Sequence, residues 1–111
     1  MKFYKNLYVG DTVKKPDKIK RKLKRYAKLP NIYVIAYMQE NNQLEIYHSL
    51  LMQQWYYKEH PPYIIGIAGS QEEAVDLIRQ IAESALCKTG QADLISFLFG
   101  DAYADHSARQ S

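Results

Sequence analysis

Two apolar runs constrain this chain more than any other feature: Ile32-Tyr33-Val34-Ile35-Ala36-Tyr37-Met38 and Tyr63-Ile64-Ile65-Gly66-Ile67-Ala68. Neither carries a charged or amide side chain. Successive side chains of a strand point to opposite faces. Both runs are therefore apolar on both faces and belong in the middle of a covered sheet. Gln43 to His48 reads differently, with Leu44, Ile46 and His48 on one face and Glu45, Tyr47 and Ser49 on the other. Asn41-Asn42 tolerate the positive φ of a tight turn, so this segment pairs with the first run as a hairpin and lies nearer the sheet edge. Phe3 to Val9 is rich in aromatic and β-favouring residues and can add a fourth, edge strand that Gly10-Asp11 stops. Counting strands from Ile32, the simplest order is 2-1-3. The connection from the second to the third then forms a crossover, right-handed if those strands are parallel.

Helices fill the gaps. Pro16 suits a first helical turn and Asp17 suits its positive dipole end; Pro30 restricts Leu29, so the spacing predicts a helix from about Asp17 to Lys28. Ser49 can cap a short helix from Leu50 to Lys58, closed by Pro61-Pro62. Ser70-Gln71-Glu72-Glu73 has the form of a capping box, in which Ser70 and Glu73 satisfy each other's amides. The helix after it turns Ala74, Leu77, Ile78, Ile81, Ala82, Ala85, Leu86 and Val75 to one side and stops at Thr89-Gly90. Leu94 to Phe99 is a short apolar run that fits either type of element and folds back on the core. The result is an α+β domain over residues 1–99, a small mixed sheet in two layers with helices. Residues 100–111 form a flexible polar tail.

At 111 residues the chain suits one domain, and its 47% hydrophobic content excludes collagen-like, low-complexity and wholly disordered classes. One cysteine excludes an internal disulfide and a zinc site built on paired thiolates. No apolar run approaches the roughly 20 residues of a membrane span. Met1 to Asn6 open no long apolar stretch of the secretory kind. These features lead us to expect a cytoplasmic protein.

The net charge of +3 conceals a strong asymmetry: residues 1–30 carry eleven Lys/Arg against Asp11 and Asp17, whereas residues 31–111 carry four Lys/Arg against ten Asp/Glu. The basic part concentrates on the helix predicted above. Ile19, Leu23, Tyr26 and Ala27 form its apolar stripe, and Lys18, Lys20, Arg21, Lys22, Lys24, Arg25 and Lys28 cover the remaining arc. Lys18/Lys22, Lys20/Lys24, Arg21/Arg25 and Lys24/Lys28 are like charges four apart, which together cost an isolated helix about 1–2 kcal/mol. A solvated lysine face screened by salt is the plain explanation. A polyanion is the functional one, because phosphates bind Lys and Arg without any sequence code. No helix-turn-helix, basic-zipper or ribonucleoprotein motif accompanies the helix.

A second candidate is Trp55-Tyr56-Tyr57, with Tyr47, His60 and Tyr63 near it in sequence. Three consecutive aromatics cannot all point inward from one helix, so at least one is expected partly exposed. Such rings pack over a sheet edge, anchor protein interfaces or stack on bases. A third is Gly66-Ile67-Ala68-Gly69-Ser70, between a strand and a helix N-terminus, where anions bind. Glu72 and Glu73 would repel a phosphate there, and the full phosphate-loop and dinucleotide fingerprints are absent, so helix capping is the better reading. Cys87 falls at the negative end of its helix, which disfavours a thiolate. His48, Glu45, Glu59 and His60 lack metal-ligand spacing. His48 on an apolar face is read as a core histidine bonded to backbone. No cofactor motif is present.

Three functions follow. The first is a non-enzymatic binding or regulatory module whose basic helix contacts an anionic partner such as nucleic acid through Lys20, Arg21, Lys24, Arg25 and Lys28. The second is a self-association or protein-binding module, with the basic helix on an acidic face and Trp55, Tyr56 and Tyr57 as anchor. The third is a small enzyme or ligand binder using His48 and His60.

Overall fold

Val34, Ile35 and Ala36 are all completely buried, although Ile35 points to the sheet face opposite to its two neighbours. That is the behaviour required of a central strand. In a computed structural model, residues 1–38, 43–90 and 93–99 are described. The Asn41-Asn42 turn and the polar tail lie outside them. The described residues cluster into two units, one over Met1–Leu77 and one beginning at Ile78.

The first unit holds β1 (Lys2–Val9), α1 (Pro16–Lys24), β2 (Tyr33–Met38), β3 (Gln43–His48), a 3-10 turn (Ser49–Gln53), α2 (Trp55–Glu59), β4 (Tyr63–Ala68) and the start of α3 (Gln71–Thr89). The strands form one mixed sheet in the order β1-β4-β2-β3. β2 runs antiparallel to both β3 and β4, and β1 runs parallel to β4 at the edge. The 2-1-3 order and the N-terminal edge strand read from the sequence are both observed. On one face, Leu23 of α1 and Met52 of the 3-10 turn pack with Val34, Ala36, Ile64 and Ile67.

Both partners of β4 slip in register against it. Its pairing with β2 shifts between Ile35 and Ala36, and its pairing with β1 shifts between Phe3 and Tyr8. A Cβ on Gly66 would stand 3.1 Å from both the Tyr8 carbonyl oxygen and Ile35 Cδ1, so glycine gives β1 and β2 room to close on this strand. The β1 irregularity also compresses that strand. Tyr4 and Tyr8, which regular extension would set roughly 13 Å apart, stack with ring centroids 6.2 Å apart. Bulging of this kind blunts an edge against further strand pairing.

α1 is shorter than predicted. It ends at Lys24, not at Lys28, because a Schellman motif closes it: Tyr26 N–H donates to Leu23 O at 3.0 Å and Ala27 N–H to Lys22 O at 3.0 Å. Tyr26 takes the left-handed position at φ 56°, where glycine is usual. Lys28 therefore lies in the segment beyond the helix.

The segment after β3 also departs from expectation. It is a 3-10 turn and a separate α2, broken at Gln54, whose ψ of 144° is extended. Its cap is His48 rather than Ser49: Leu50 N–H donates to His48 Nδ1 at 3.1 Å. Ser49 is instead buried, and its hydroxyl donates to the Leu29 carbonyl. Ile32 N–H also donates to that carbonyl. Ser49→Ala is expected to lower the unfolding free energy by about 1 kcal/mol, read as a shift of the urea midpoint at constant slope. An unchanged midpoint would show that this hydroxyl contributes nothing.

In α3, Ala74, Leu77, Ile81 and Ala85 are buried as the periodicity predicts, but Val75 and Leu86 are exposed. The predicted stop is observed, with Gly90 at φ 76° directly after Thr89. In the second unit Leu94–Leu98 is helical (α4). Asp93 caps it, accepting from the Ser96 N–H and hydroxyl.

Candidate anion-binding surface

The nine residues of α1 bury only Leu23. Like-charge crowding is relieved in two ways that the sequence reading did not include. Arg21, Lys22 and Lys24 occupy the last turn, at the negative end of the dipole. Lys20 and Lys24 also set their ammonium groups over the Phe3 ring of β1, at 5.5 and 5.6 Å from its centroid. Because the helix stops at Lys24, Lys24 and Lys28 are no longer a pair on one helical face. Arg21, Arg25 and Lys28 remain exposed and form no ion pair or ring contact among the described residues.

The Schellman turn connects this basic end with the aromatic segment. Gln53 Nε2 donates to the Tyr26 carbonyl, and Lys58 Nζ lies 5.7 Å from the Tyr26 ring centroid. The residue following Arg25 is thus held by the 3-10 turn and by α2. Sequence spacing gives no sign of this junction, since it places Tyr26 on the buried stripe in the last turn of a helix that runs on to Lys28.

Trp55, Tyr56 and Tyr57 are divided between solvent and core. Tyr57 packs on the core cluster and lies 5.7 Å from Tyr47. The Tyr47 hydroxyl donates to the Glu45 carboxylate; burial, then that bond, raises its pKa well above the ordinary phenol value. Trp55 is 73% exposed, and Leu50, Leu51 and Tyr56 are exposed beside it in the chain. Tyr56 stands edge-on to both neighbours, at 6.4 Å from Trp55 and 5.3 Å from Tyr57, and 4.7 Å from His60.

The remaining candidates have local explanations. His48 Nδ1 accepts from Leu50, so Nε2 carries the proton and donates to Pro30 O at 2.7 Å. The ring also meets Tyr33 edge-on at 4.8 Å. Both nitrogens are engaged with backbone as expected, although the ring is half-buried rather than in the core, and neither offers a lone pair to a metal or substrate. His60 is exposed against Tyr56. Among the described residues no group of three or more His, Cys, Asp or Glu is placed to hold a metal ion. Cys87 is exposed in the second unit. No helix among the described residues is long and apolar enough to cross a membrane.

At the Gly66–Ser70 turn, Ser70 Oγ accepts from Glu73 N–H at 3.1 Å, half of the predicted capping box. The Glu73 carboxylate does not return to Ser70. It accepts from Gly69 N–H at 2.7 Å, Thr12 N–H at 3.1 Å and Thr12 Oγ at 2.7 Å. The protein's own carboxylate fills the anion-binding position between the ends of parallel strands β1 and β4. Burial alone would raise the Glu73 pKa, but these hydrogen bonds, helped by Lys14, bring it below the ordinary 4.5.

The chain was compared with known proteins. No protein-family model, curated protein or solved structure matches it.

Proposed function

We propose that the protein is a non-enzymatic binding module whose basic surface contacts the phosphates of nucleic acid. The observation that carries this reading is the unpartnered state of Arg21, Arg25 and Lys28 among the described residues, on a unit where two of the carboxylates are engaged elsewhere. Glu73 is bound to Gly69 and Thr12, and Glu45 to Tyr47 and Gln43. Lys20 and Lys24 add charge from their positions over Phe3. Guanidinium groups suit phosphate because their donors form a rigid planar fork.

Fluorescence anisotropy with labelled DNA and RNA, from low to physiological salt, tests it. Three phosphate contacts give a log–log salt slope of roughly −2 to −3, and Arg21→Glu/Arg25→Glu removes most of the affinity and about two-thirds of the slope. That variant should keep its fold, losing no more than about 1 kcal/mol, because both side chains are on the surface. No binding at low salt, or equal binding by the variant, would overturn the proposal.

A further inference from the structure

Resting on the phosphate-contact reading above, we infer that the surface takes single-stranded nucleic acid, with Trp55 as the platform on which a base stacks. Soluble domains seldom leave an indole uncovered, and Trp55 is 73% exposed. The ring is braced as well as exposed. Tyr56 stands edge-on to it at 72°, and Tyr56 is itself set against Tyr57, at 88°, and His60. A ring held in place from one side loses little freedom when a base covers the other.

Charge complementarity selects the occupant. Lys58 follows Trp55 by three residues in α2 and so shares its side of that helix. The Lys58 ammonium lies over Tyr26, and Tyr26 directly follows Arg25. The helix that carries the exposed indole is therefore tied, through Lys58 on Tyr26, to the turn that directly follows Arg25. Cations beside a free aromatic face are the two components of a single-strand site: one tracks the backbone and the other stacks on a base of any identity. A duplex keeps its bases stacked on one another and offers the ring nothing to cover. An apolar protein partner would use Leu50, Leu51 and Trp55 but would have to desolvate Lys58.

Trp55 is the only tryptophan, so its fluorescence reports on this ring alone. The full chain is titrated with short unlabelled oligo(dT) and oligo(U), with a DNA duplex, and with anionic phosphatidylglycerol vesicles. The expected result is quenching by the single strands that saturates together with anisotropy. Trp55→Ala should weaken single-strand binding roughly ten-fold or more, leave any duplex binding within about two-fold, and preserve the far-ultraviolet circular dichroism. Trp55→Phe should recover part of the loss. Single-strand binding without quenching, and equal in Trp55→Ala, would overturn the stacking role and leave the phosphate contacts standing. No nucleic-acid binding at low salt would overturn both. A spectral shift that follows protein concentration with a dimer in sedimentation, or that appears with vesicles and not with oligonucleotides, would assign the ring to a second copy or to a lipid surface and overturn this inference.

Discussion

Leu23→Ala is expected to lower the unfolding free energy by about 3 kcal/mol, the largest effect of any single change on α1. The helix has nine residues, too few to be stable alone in water, and its surface carries like charges. Tertiary burial must hold it, and Leu23, at 1% exposed, is its one fully buried side chain. Removing the side chain leaves a cavity against Val34, Ala36, Ile64 and Ile67, residues of two central strands that cannot easily collapse into it. Urea unfolding followed by far-ultraviolet circular dichroism reads the loss as a fall in midpoint. A change below about 1 kcal/mol would mean that the half-buried Ile19 and Tyr26 anchor the helix instead. The contrast with Arg21→Glu/Arg25→Glu separates scaffold from contact: the first variant loses stability, the second loses binding with the fold retained.

The second large effect concerns Glu73. Glu73→Ala removes three hydrogen bonds to a carboxylate and is expected to cost about 2 kcal/mol, moderated by water that can reach the freed donors. Gly10→Ala should cost about the same for a related reason. A Cβ there would lie 2.0 Å from Glu73 Oε1 and 2.2 Å from its Cδ, so the carboxylate must leave its donors. In a chain already carrying Glu73→Ala that obstacle is gone, and Gly10→Ala should then cost less than about 0.5 kcal/mol. The double-mutant cycle therefore predicts strong non-additivity; additive losses would show that the two sites act separately. The acid limb gives an independent check. The native pKa of Glu73 lies below its ordinary 4.5, so its ionised form is favoured by folding. Its contribution is present above pH 4.5 and lost as pH falls through the lower native value. The stability difference between wild type and Glu73→Ala should therefore shrink on acidification below that point. A difference that stays constant would argue against the carboxylate as the group responsible.

The sequence was most legible where one local rule sufficed. Continuous apolar runs marked β2 and β4 as central, because a strand with no polar face has no other place in a sheet. Alternation marked β3 as an edge partner, and helical periodicity with a terminal glycine marked α3 and its end. Histidine 48 on an apolar face was read correctly as bonded to backbone, though not as the cap of the following turn. For the candidate surface, the basic character of α1 was plain in the composition of Lys14 to Lys28, and three successive aromatics already required one exposed ring.

What the sequence by itself determined is thus the strands, the long helix α3, the neighbours of β2 and the uneven charge: all depend on patterns within a few residues of one another. Tertiary structure alone decided where α1 stops, which aromatic ring faces water and what fills the anion-binding turn. The helix stops early because Gln53, 27 residues away, holds the carbonyl of Tyr26 in a left-handed turn. Tyr57 rather than Trp55 turns inward because the ring of Tyr47 waits on the neighbouring strand. The turn before α3 is filled because β1 runs parallel beside β4, bringing Thr12 to Glu73 across 61 residues of chain. Local preferences set which conformations are available to such residues, and contacts between segments distant in sequence select one of them.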